Sequence, residues 1–421
     1  MKKYYLQLSV TIITIFILQG CVKDHLTTTY TFFSPVYKSK AEVLQNIKSA
    51  APQPLQNTGK LFVLGNYIFV NELNKGVHVI DNSNPASPKN ISFISIPGNI
   101  DIAVKNNTLY ADLFTDMVTL DISNTTNISL KKMTANVFPE RDYQYGFAYD
   151  STRYIVDWTR GETTSKRELG ENTQREPVLW LTASQLSSDM AASSAKIGVS
   201  GSMARFTIVN NYLYTVGRSN LTAFNISSSI NPVSENVKSL GWNIETIYPF
   251  KDKLFIGSQT GMFIYSISNP KDPSFVGSFS HACFKDPVIA DDQYAYVTLR
   301  AATDGASCLG VAAQRNELDI VNISDLMQPS LVKIYDMTEP QGLSKDGDHL
   351  FICDGKGGLK VYDASNVQDL KLIKTIGNIK PFDIICQAGN AIVVAEEGIY
   401  QFDYSNINSI KMVSKISIDK K

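Results

Sequence analysis

Short apolar runs separated by turn residues recur along this chain at intervals of about forty residues. The runs are rich in β-branched and aromatic residues, as in Tyr67–Val70 and Tyr212–Val216. Alternation of this kind predicts half-buried β-strands rather than helices. Pairs such as Gly65-Asn66 and Asp346-Gly347 separate the first two runs of a unit. These residue types tolerate positive φ, so they favour tight hairpins.

Each unit ends in a variant of Asp-x-Ser-Asn-Pro, which is clearest at Asp81–Pro85. Asp and Ser side chains bond to backbone amides two residues further on, and Pro stops a strand. We therefore interpret the motif as a structural turn between a third and a fourth strand. The aligned first position is occupied by Asp81, Asp121, Asn225, Ser266, Asn322, Asp363 and Asp403.

One long gap separates Asp121 from Asn225. Within it, Arg153–Trp158 and Pro177–Thr182 resemble the second and third strands of a degenerate unit. The pattern therefore predicts an all-β fold, a single β-propeller of four-stranded blades over residues 58–421. We expect eight blades, with seven as the alternative.

The residues before the array predict a tether and a docking helix over 21–57. Ser39–Glu42 is a capping box, which predicts a short N-terminal helix through roughly Ser49. Val43, Leu44 and Ile47 are placed to dock it on the propeller. Tyr30–Phe33 is a candidate strand that would close an exposed blade edge.

The first twenty residues are predicted to be a signal peptide. Lys2 and Lys3 precede the mostly apolar stretch Leu6–Leu18, which is too short to span a bilayer. Leu18–Cys21 matches the bacterial lipobox, so we expect lipidation of Cys21 and an outer-membrane lipoprotein. Val22-Lys23-Asp24 resembles the export signals of Bacteroidetes surface lipoproteins, which favours the cell surface.

The repeats resemble the LVIVD-repeat family of bacterial cell-surface β-propeller lipoproteins. The most telling matches are Gly358–Ser365 and Leu318–Ser324, and the resemblance extends from about Val36 to Ile418. It implies a fold and a location at the cell surface, but no established activity.

Strand order places candidate chemistry on one face of the propeller. Two long inserts, Thr159–Glu176 and Ala301–Asn316, fall between second and third strands, and the blade entries open on the same face. A ring of polar residues at these entries can bind sugar hydroxyls or a structural cation, or can simply solvate the channel mouth. Its members are Asp101, Arg205, Glu245, Asp286, Gln341 and Asp383.

The cysteines limit the possible disulfide bonds, and the composition argues against several classes of ligand. Cys283 and Cys308 are the preferred disulfide among three pairings, whereas Cys353 and Cys386 are expected in the core. Lys plus Arg (39) nearly balance Asp plus Glu (40), so no nucleic-acid partner is expected. The sequence contains no catalytic motif and no metal-ligand spacing, and it predicts no cofactor.

Three functions remain open at this point. The favoured one is a monomeric, surface-anchored binding or scaffolding protein that recognises a glycan or an envelope protein through the insert-bearing face. The second is a carbohydrate-active or lactonase-like enzyme that uses the polar residues at the channel mouth. The third is a purely structural role in the envelope.

Overall fold

The computed structural model describes residues 25–143, 150–168, 199–241, 243–281, 287–301 and 315–419. Cys21, Cys283, Asp286 and Cys308 lie outside the described residues, so their predicted roles stay predictions. The sequence pattern produces seven antiparallel blades of four consecutive strands each, and the sheet of the first blade is extended by one short strand at each edge. Their first strands contact one another in a closed ring, so the fold is a β-propeller.

The propeller strands follow the repeat closely. Blade I comprises β3 Thr58–Leu64, β4 Tyr67–Glu72, β5 Gly76–Asp81 and β6 Lys89–Ser95; blade II comprises β7 Ile102–Lys105, β8 Thr108–Leu113, β9 Asp116–Asp121 and β10 Ser129–Thr134. Blade III comprises β13 Phe206–Val209, β14 Tyr212–Val216, β15 Asn220–Asn225 and β16 Val233–Ser239; blade IV comprises β17 Ile244–Phe250, β18 Lys253–Ser258, β19 Gly261–Ser266 and β20 Ser274–Ser280. Blade V comprises β21 Val288–Ala290, β22 Tyr294–Leu299, β23 Glu317–Asn322 and β24 Ser330–Asp336. Blade VI comprises β25 Leu343–Asp346, β26 His349–Cys353, β27 Leu359–Asp363 and β28 Lys371–Ile376; blade VII comprises β29 Pro381–Gln387, β30 Asn390–Ala395, β31 Gly398–Asp403 and β32 Lys411–Ser417.

The expectation of eight blades is wrong, because the degenerate third unit forms no blade. Its candidate second strand, Arg153–Trp158, belongs to β11 (Arg153–Glu168), which pairs along its length with β1 (His25–Ser39). The two strands form a two-stranded antiparallel sheet, here called the ribbon, which shares no strand with any blade. Its candidate third strand, Pro177–Thr182, lies outside the described residues.

The ribbon also corrects the role predicted for Tyr30–Phe33. These residues pair with Thr163–Arg160 of β11 and not with a blade. The outer edge of blade I is instead extended by β2 (Ser49–Ala50), which pairs with Ile94 and Phe93. A strand does cover a blade edge, therefore, but the sequence pattern placed it too early in the chain.

The described residues contain one α-helix, α1 (Lys40–Asn46), and it follows β1 rather than standing at the N-terminus. The Ser39 side chain accepts from the Glu42 N–H at 3.2 Å and caps the helix. The helix ends before the predicted Ser49, and Val43 and Ile47 are buried in the core that includes blades I and II. Within the described residues no helix is long and apolar enough to cross a bilayer. In the described ranges, three short 3-10 helices occupy Pro139–Tyr143, Gly355–Gly357 and Ile407–Ser409.

The motif turns are structural, as predicted. Asp81 Oδ1 accepts from the Ser83 N–H at 2.9 Å, and Asp363 Oδ1 accepts from the Ser365 N–H at 2.9 Å. The same face carries the hairpins between first and second strands, because the Asn82 N–H donates to the Asn66 carbonyl. The turns between second and third strands and the links between blades occupy the other face, here called the insert face.

Candidate functional site

The channel mouth on the insert face is bordered by charged residues from consecutive blades. Asp101 precedes β7 and is completely buried. Its Oδ2 atom accepts from Lys60 Nζ at 2.9 Å and from the Arg205 backbone N–H at 2.7 Å. Asp101 therefore links blades I, II and III, and burial raises its pKa to about 6 despite the Lys60 charge.

A second buried pair lies beside the first. Arg141 Nη1 donates to Asp112 Oδ2, and Asp112 Oδ1 accepts from the backbone N–H groups of Ile100 and Asp101 at 2.8 and 2.9 Å. Asp112 is completely buried, so these contacts offset the cost of its desolvation. Lys60 is equally enclosed, and burial lowers its pKa to about 8.

Arg205 and Glu245 are the more accessible members of the predicted ring. Both are partly exposed at the start of blades III and IV. Arg205 Nε donates to the Glu245 carbonyl at 3.3 Å, while Glu245 Oε1 accepts from Gln259 Nε2 at 2.9 Å. No ion pair joins the two side chains among the described residues.

Residues 199–202, here called the central segment, lie in the channel against blades I and VI, across from Arg205 and Glu245. β12 (Val199–Ser200) pairs with Val63 and Phe62 at the inner edge of blade I. Ser202 Oγ then accepts from the Leu343 N–H of blade VI at 2.8 Å. Segment 199–202 therefore occupies the channel beside blades VI, VII and I.

Asp383 and Gln341 lie against or near this central segment. A Cβ atom at Gly201 would stand 1.8 Å from Asp383 Oδ1, so only glycine fits there. Asp383 is completely buried, whereas Gln341 is partly exposed. The Gln341 backbone bonds to Cys353 and to the Thr298 hydroxyl, which ties blade V to blade VI.

The five described members of the predicted ring lie at blade entries, but they differ in their exposure to solvent. Asp101 and Asp383 are enclosed, while Arg205, Glu245 and Gln341 reach solvent. Among the described residues no group of three His, Cys, Asp or Glu side chains is placed to hold a metal ion. Cys353 and Cys386 are buried free thiols, as predicted, and burial raises the pKa of each.

Sequence reasoning missed a second set of carboxylates, which close the second strands of several blades. Each accepts from an N–H group of the link that enters its own blade, and so holds the insert face together. Glu72 accepts from Asn57 N–H at 2.6 Å, Asp112 from Ile100 N–H at 2.8 Å, Asp354 from Glu339 N–H at 2.8 Å, and Glu397 from Lys380 N–H at 3.0 Å. The signal was present, because Glu72, Asp112 and Asp354 each precede the motif aspartate of their unit by nine residues (72 to 81, 112 to 121, 354 to 363).

A cavity of about 610 Å³ lies between the ribbon, α1 and blade I, and is here called the ribbon cavity. Its size is within the range of small-ligand sites. Exposed polar side chains stand beside apolar ones, and those of Gln53 and Lys75 make no hydrogen bond or ion pair among the described residues. The lining residues are Val36, Lys38, Val43, Asn46, Gln53, Asn74, Lys75, Phe93, Ser95, Pro97, Val156 and Asp157.

The second insert begins on the same face. The Ala301 N–H donates to Asn316 Oδ1 at 2.9 Å, and Asn316 Nδ2 donates to the Thr338 carbonyl at 2.7 Å. Asn316 thereby pins the base of this insert to the link that enters blade VI. Of the first insert, residues 159–168 form the distal part of β11.

Comparisons with known proteins agree with this architecture. The LVIVD repeat model matches residues 57–93, 99–135 and 310–337. No curated protein matched the chain. A solved protein from Lactobacillus plantarum is 9% identical, with 87% of this chain and 98% of that chain covered at a TM-score of 0.55. The periplasmic gluconolactonase PpgL of Pseudomonas aeruginosa is 9% identical, with 86% and 96% covered at a TM-score of 0.54.

Identities this low show the fold alone, since unrelated functions share propellers. The family match, in contrast, lies on the repeats from which the blades are built. Two of the three matched segments coincide with blades I and II. The resemblance read from the repeats is confirmed by these three LVIVD-repeat segments, and the chain folds as a seven-bladed β-propeller.

Proposed function

We propose that this protein is a binding module that takes up a glycan in the ribbon cavity on its insert face. The observation that carries the proposal is the cavity itself, which exists because the first part of β11, including Val156 and Asp157, pairs with β1 beside blade I. Amide side chains at Asn46, Gln53 and Asn74 suit sugar hydroxyls, which both donate and accept hydrogen bonds. Lys75 and Asp157 add one donor and one acceptor group of opposite charge, and both are exposed.

The apolar part of the lining supports a saccharide over a strongly charged ligand. Val36, Pro97 and Val156 provide surface for the C–H faces of a sugar ring. The formal net charge of the whole chain is -1, so long-range attraction of polyanions is weak.

A soluble glycan panel tests this proposal. The chain without residues 1–20 should bind one or more neutral oligosaccharides, and Lys75→Ala combined with Asp157→Ala should weaken that binding at least about tenfold. Lys371→Ala, on an exposed outer strand of blade VI, is the matched control and should leave binding unchanged. Unaltered glycan binding by the double variant would overturn the proposal. Capture of a protein partner by the same cavity would assign it to a protein ligand instead.

We further infer that the protein is an outer-membrane lipoprotein anchored at Cys21. β1 begins four residues after Cys21 (21 to 25), so the ribbon leads from the anchor to the propeller. A strand of fifteen residues spans about 50 Å at ~3.3 Å per residue. Radiolabelled palmitate should enter the wild-type protein in bacteria and not the Cys21→Ser variant. Equal labelling of both proteins would contradict the anchor.

A further inference from the structure

Arg205 belongs to a cluster of charged residues at the channel mouth and differs from Lys60 and Arg141 in its lack of an ion pair with any described residue. Lys60 pairs with Asp101 at 2.9 Å, and Arg141 pairs with Asp112. Arg205 lies close enough to feel the charges of Arg141 and Asp101, and it lowers the pKa of Lys60. Glu245 and Arg218 also act on Arg205, so four cations meet three carboxylates here, and Asp101 and Asp112 are already paired. The cluster therefore has an excess of positive charge, and Arg205 is its partly buried cation without an ion pair among the described residues.

The contacts of Arg205 leave its guanidinium open. Its backbone N–H donates to Asp101, and its Nε donates to the Glu245 carbonyl at 3.3 Å. Its two terminal nitrogens make no hydrogen bond, and no carboxylate lies within ion-pair distance, among the residues the structure describes. Glu245, whose charge acts on Arg205 from the start of the next blade, has its Oε1 bonded to Gln259 Nε2 at 2.9 Å.

The partial burial of Arg205 raises the free-energy cost of leaving its charge without an anion. Arg205 follows the central segment directly and begins blade III, where it is only partly exposed. Burial is the main reason that its pKa is lowered, and the Arg141 charge acts in the same direction. A recessed charge without a counter-ion is expensive, because water no longer solvates it fully.

We propose that Arg205 binds the carboxylate of a small anionic ligand at the channel mouth. The two terminal nitrogens of a guanidinium form a planar fork that matches the two oxygens of a carboxylate. The nearby Arg218, which is exposed, reinforces the preference for a negative group. The site is separate from the ribbon cavity, which contains none of these residues.

Side-chain NMR of the arginine Nε–H groups tests the proposal on the chain without residues 1–20. Sodium acetate and sodium glucuronate are the probes, and glucose is the neutral match for glucuronate. The Arg205 resonance, identified by its loss in Arg205→Lys, should shift saturably with both carboxylates and stay unmoved with glucose. Arg205→Gln should lower the affinity for glucuronate about tenfold or more, whereas Arg160→Gln on the ribbon should not change it.

Three results would overturn the proposal, and one further result would support it. No saturable shift of Arg205 with either carboxylate overturns the proposal, as does an equal response to glucose. Unchanged glucuronate binding by a folded Arg205→Gln variant, with its fold checked by circular dichroism, also overturns it. Tighter binding in Glu245→Gln would support it, because that change removes a competing negative charge. The ribbon variants Lys75→Ala and Asp157→Ala should leave this site intact, so the two sites succeed or fail independently.

Discussion

Lys60 and Asp101 form an ion pair that water barely reaches, with exposed fractions of 1% and 0%. Removing one partner leaves the other charge buried and uncompensated, which typically costs ~3–5 kcal/mol. Lys60→Met should therefore lower the free energy of unfolding by about that amount in urea titrations. Lys60→Met combined with Asp101→Asn should recover most of the loss, since no charge is then orphaned. A double variant no more stable than Lys60→Met would contradict this account of the pair.

Asp319 is a buried carboxylate whose ionisation should make the stability of the protein depend on pH. It is 3% exposed, and its Oδ1 has no hydrogen-bond partner among the described residues. Burial, followed by the charge of Glu317, raises its pKa to about 6. The folded pKa exceeds the unfolded one, so ionisation costs stability as the pH rises from about 4 to about 6, and the cost then stays constant.

Asp319→Asn should consequently stabilise the protein at pH 8 by about 2–3 kcal/mol, and the gain should vanish near pH 4. Thermal unfolding at the two pH values measures the difference. Asp336→Asn, at an exposed position on the next strand of blade V, is the control and should change little at either pH. A gain of equal size at both pH values would show that ionisation of Asp319 is not the cause.

Single-residue geometry was predictable where the partners are close in sequence. The turn at Asp81 and Ser83 needs only residues two apart, so composition at those positions suffices. Arg205 was also placed correctly at a blade entry. That it forms no ion pair with a described residue was not foreseen, because Lys60 and Arg141 come from other segments of the chain and pair with Asp101 and Asp112.

Among the elements, the ribbon is joined to blade II by the carboxylate of Asp116. Asp116 is completely buried and accepts from Lys40 Nζ at 2.8 Å, from the Tyr154 hydroxyl and from the Asn136 N–H at 2.9 Å. Burial alone would raise the pKa of Asp116, but these hydrogen bonds outweigh it and the pKa is lowered. Lys40 begins α1 and Tyr154 lies in β11, so the contact joins both arms of the ribbon to blade II.

Asp116→Ala should release the base of the ribbon. Hydrogen exchange of backbone amides in β1 and β11 should accelerate, while amides in blades III to VII keep their protection. The loss of the carboxylate should cost about 2 kcal/mol, since three donors lose their acceptor and one of them, the Tyr154 hydroxyl, belongs to a buried residue. Asp121→Ala, at the other end of the same strand, is the control and should leave ribbon exchange unchanged. Uniform acceleration across all blades would mean that Asp116 stabilises the propeller rather than the ribbon.

The sequence predicted strands better than it predicted their partners. Four-stranded blades follow from local alternation, but β1 pairs with β11 across more than a hundred residues, for example Tyr30 with Thr163. No local pattern specifies such a pairing, because both strands also fit a blade edge. The outer strand of every blade also contains a bulge opposite the third strand, as at Val79/Ile80 and Gln401/Phe402, which alternation alone did not reveal.

At the scale of the whole molecule, blade number depends on how the ring closes and not on how many units the sequence contains. Residues between blades II and III resemble a blade but form the ribbon and the central segment instead. The ring closes with seven blades, and blade VII packs against blade I through a shared core that includes Leu61, Ile68, Ile392 and Val394. Among the described residues no strand is exchanged between first and last blades, so closure depends on side chains and on the backbone bond from the Asp419 N–H to the Leu55 carbonyl at 2.8 Å.

Gln401 supplies the polar part of this closure. Its Nε2 donates to Asn82 Oδ1 at 2.7 Å, and its Oε1 accepts from Asn82 Nδ2 at 3.1 Å, so the two amides bond reciprocally across the junction. Gln401 is 1% exposed. Gln401→Ala should therefore lower the free energy of unfolding by ~1–3 kcal/mol, because the partly buried Asn82 side chain loses both of its bonds to Gln401. Gln328→Ala, at an exposed turn of blade V, should cost little.

Calorimetry of Gln401→Ala also tests whether the ring unfolds as one unit. Each blade buries its apolar faces only against two neighbours, so opening one junction exposes both blades beside it. We expect a single transition at a lower temperature, with the same ratio of calorimetric to van't Hoff enthalpy as the wild type. A new low-temperature transition confined to blades VII and I would show instead that the junction opens locally, and that the remaining blades hold together without a closed ring.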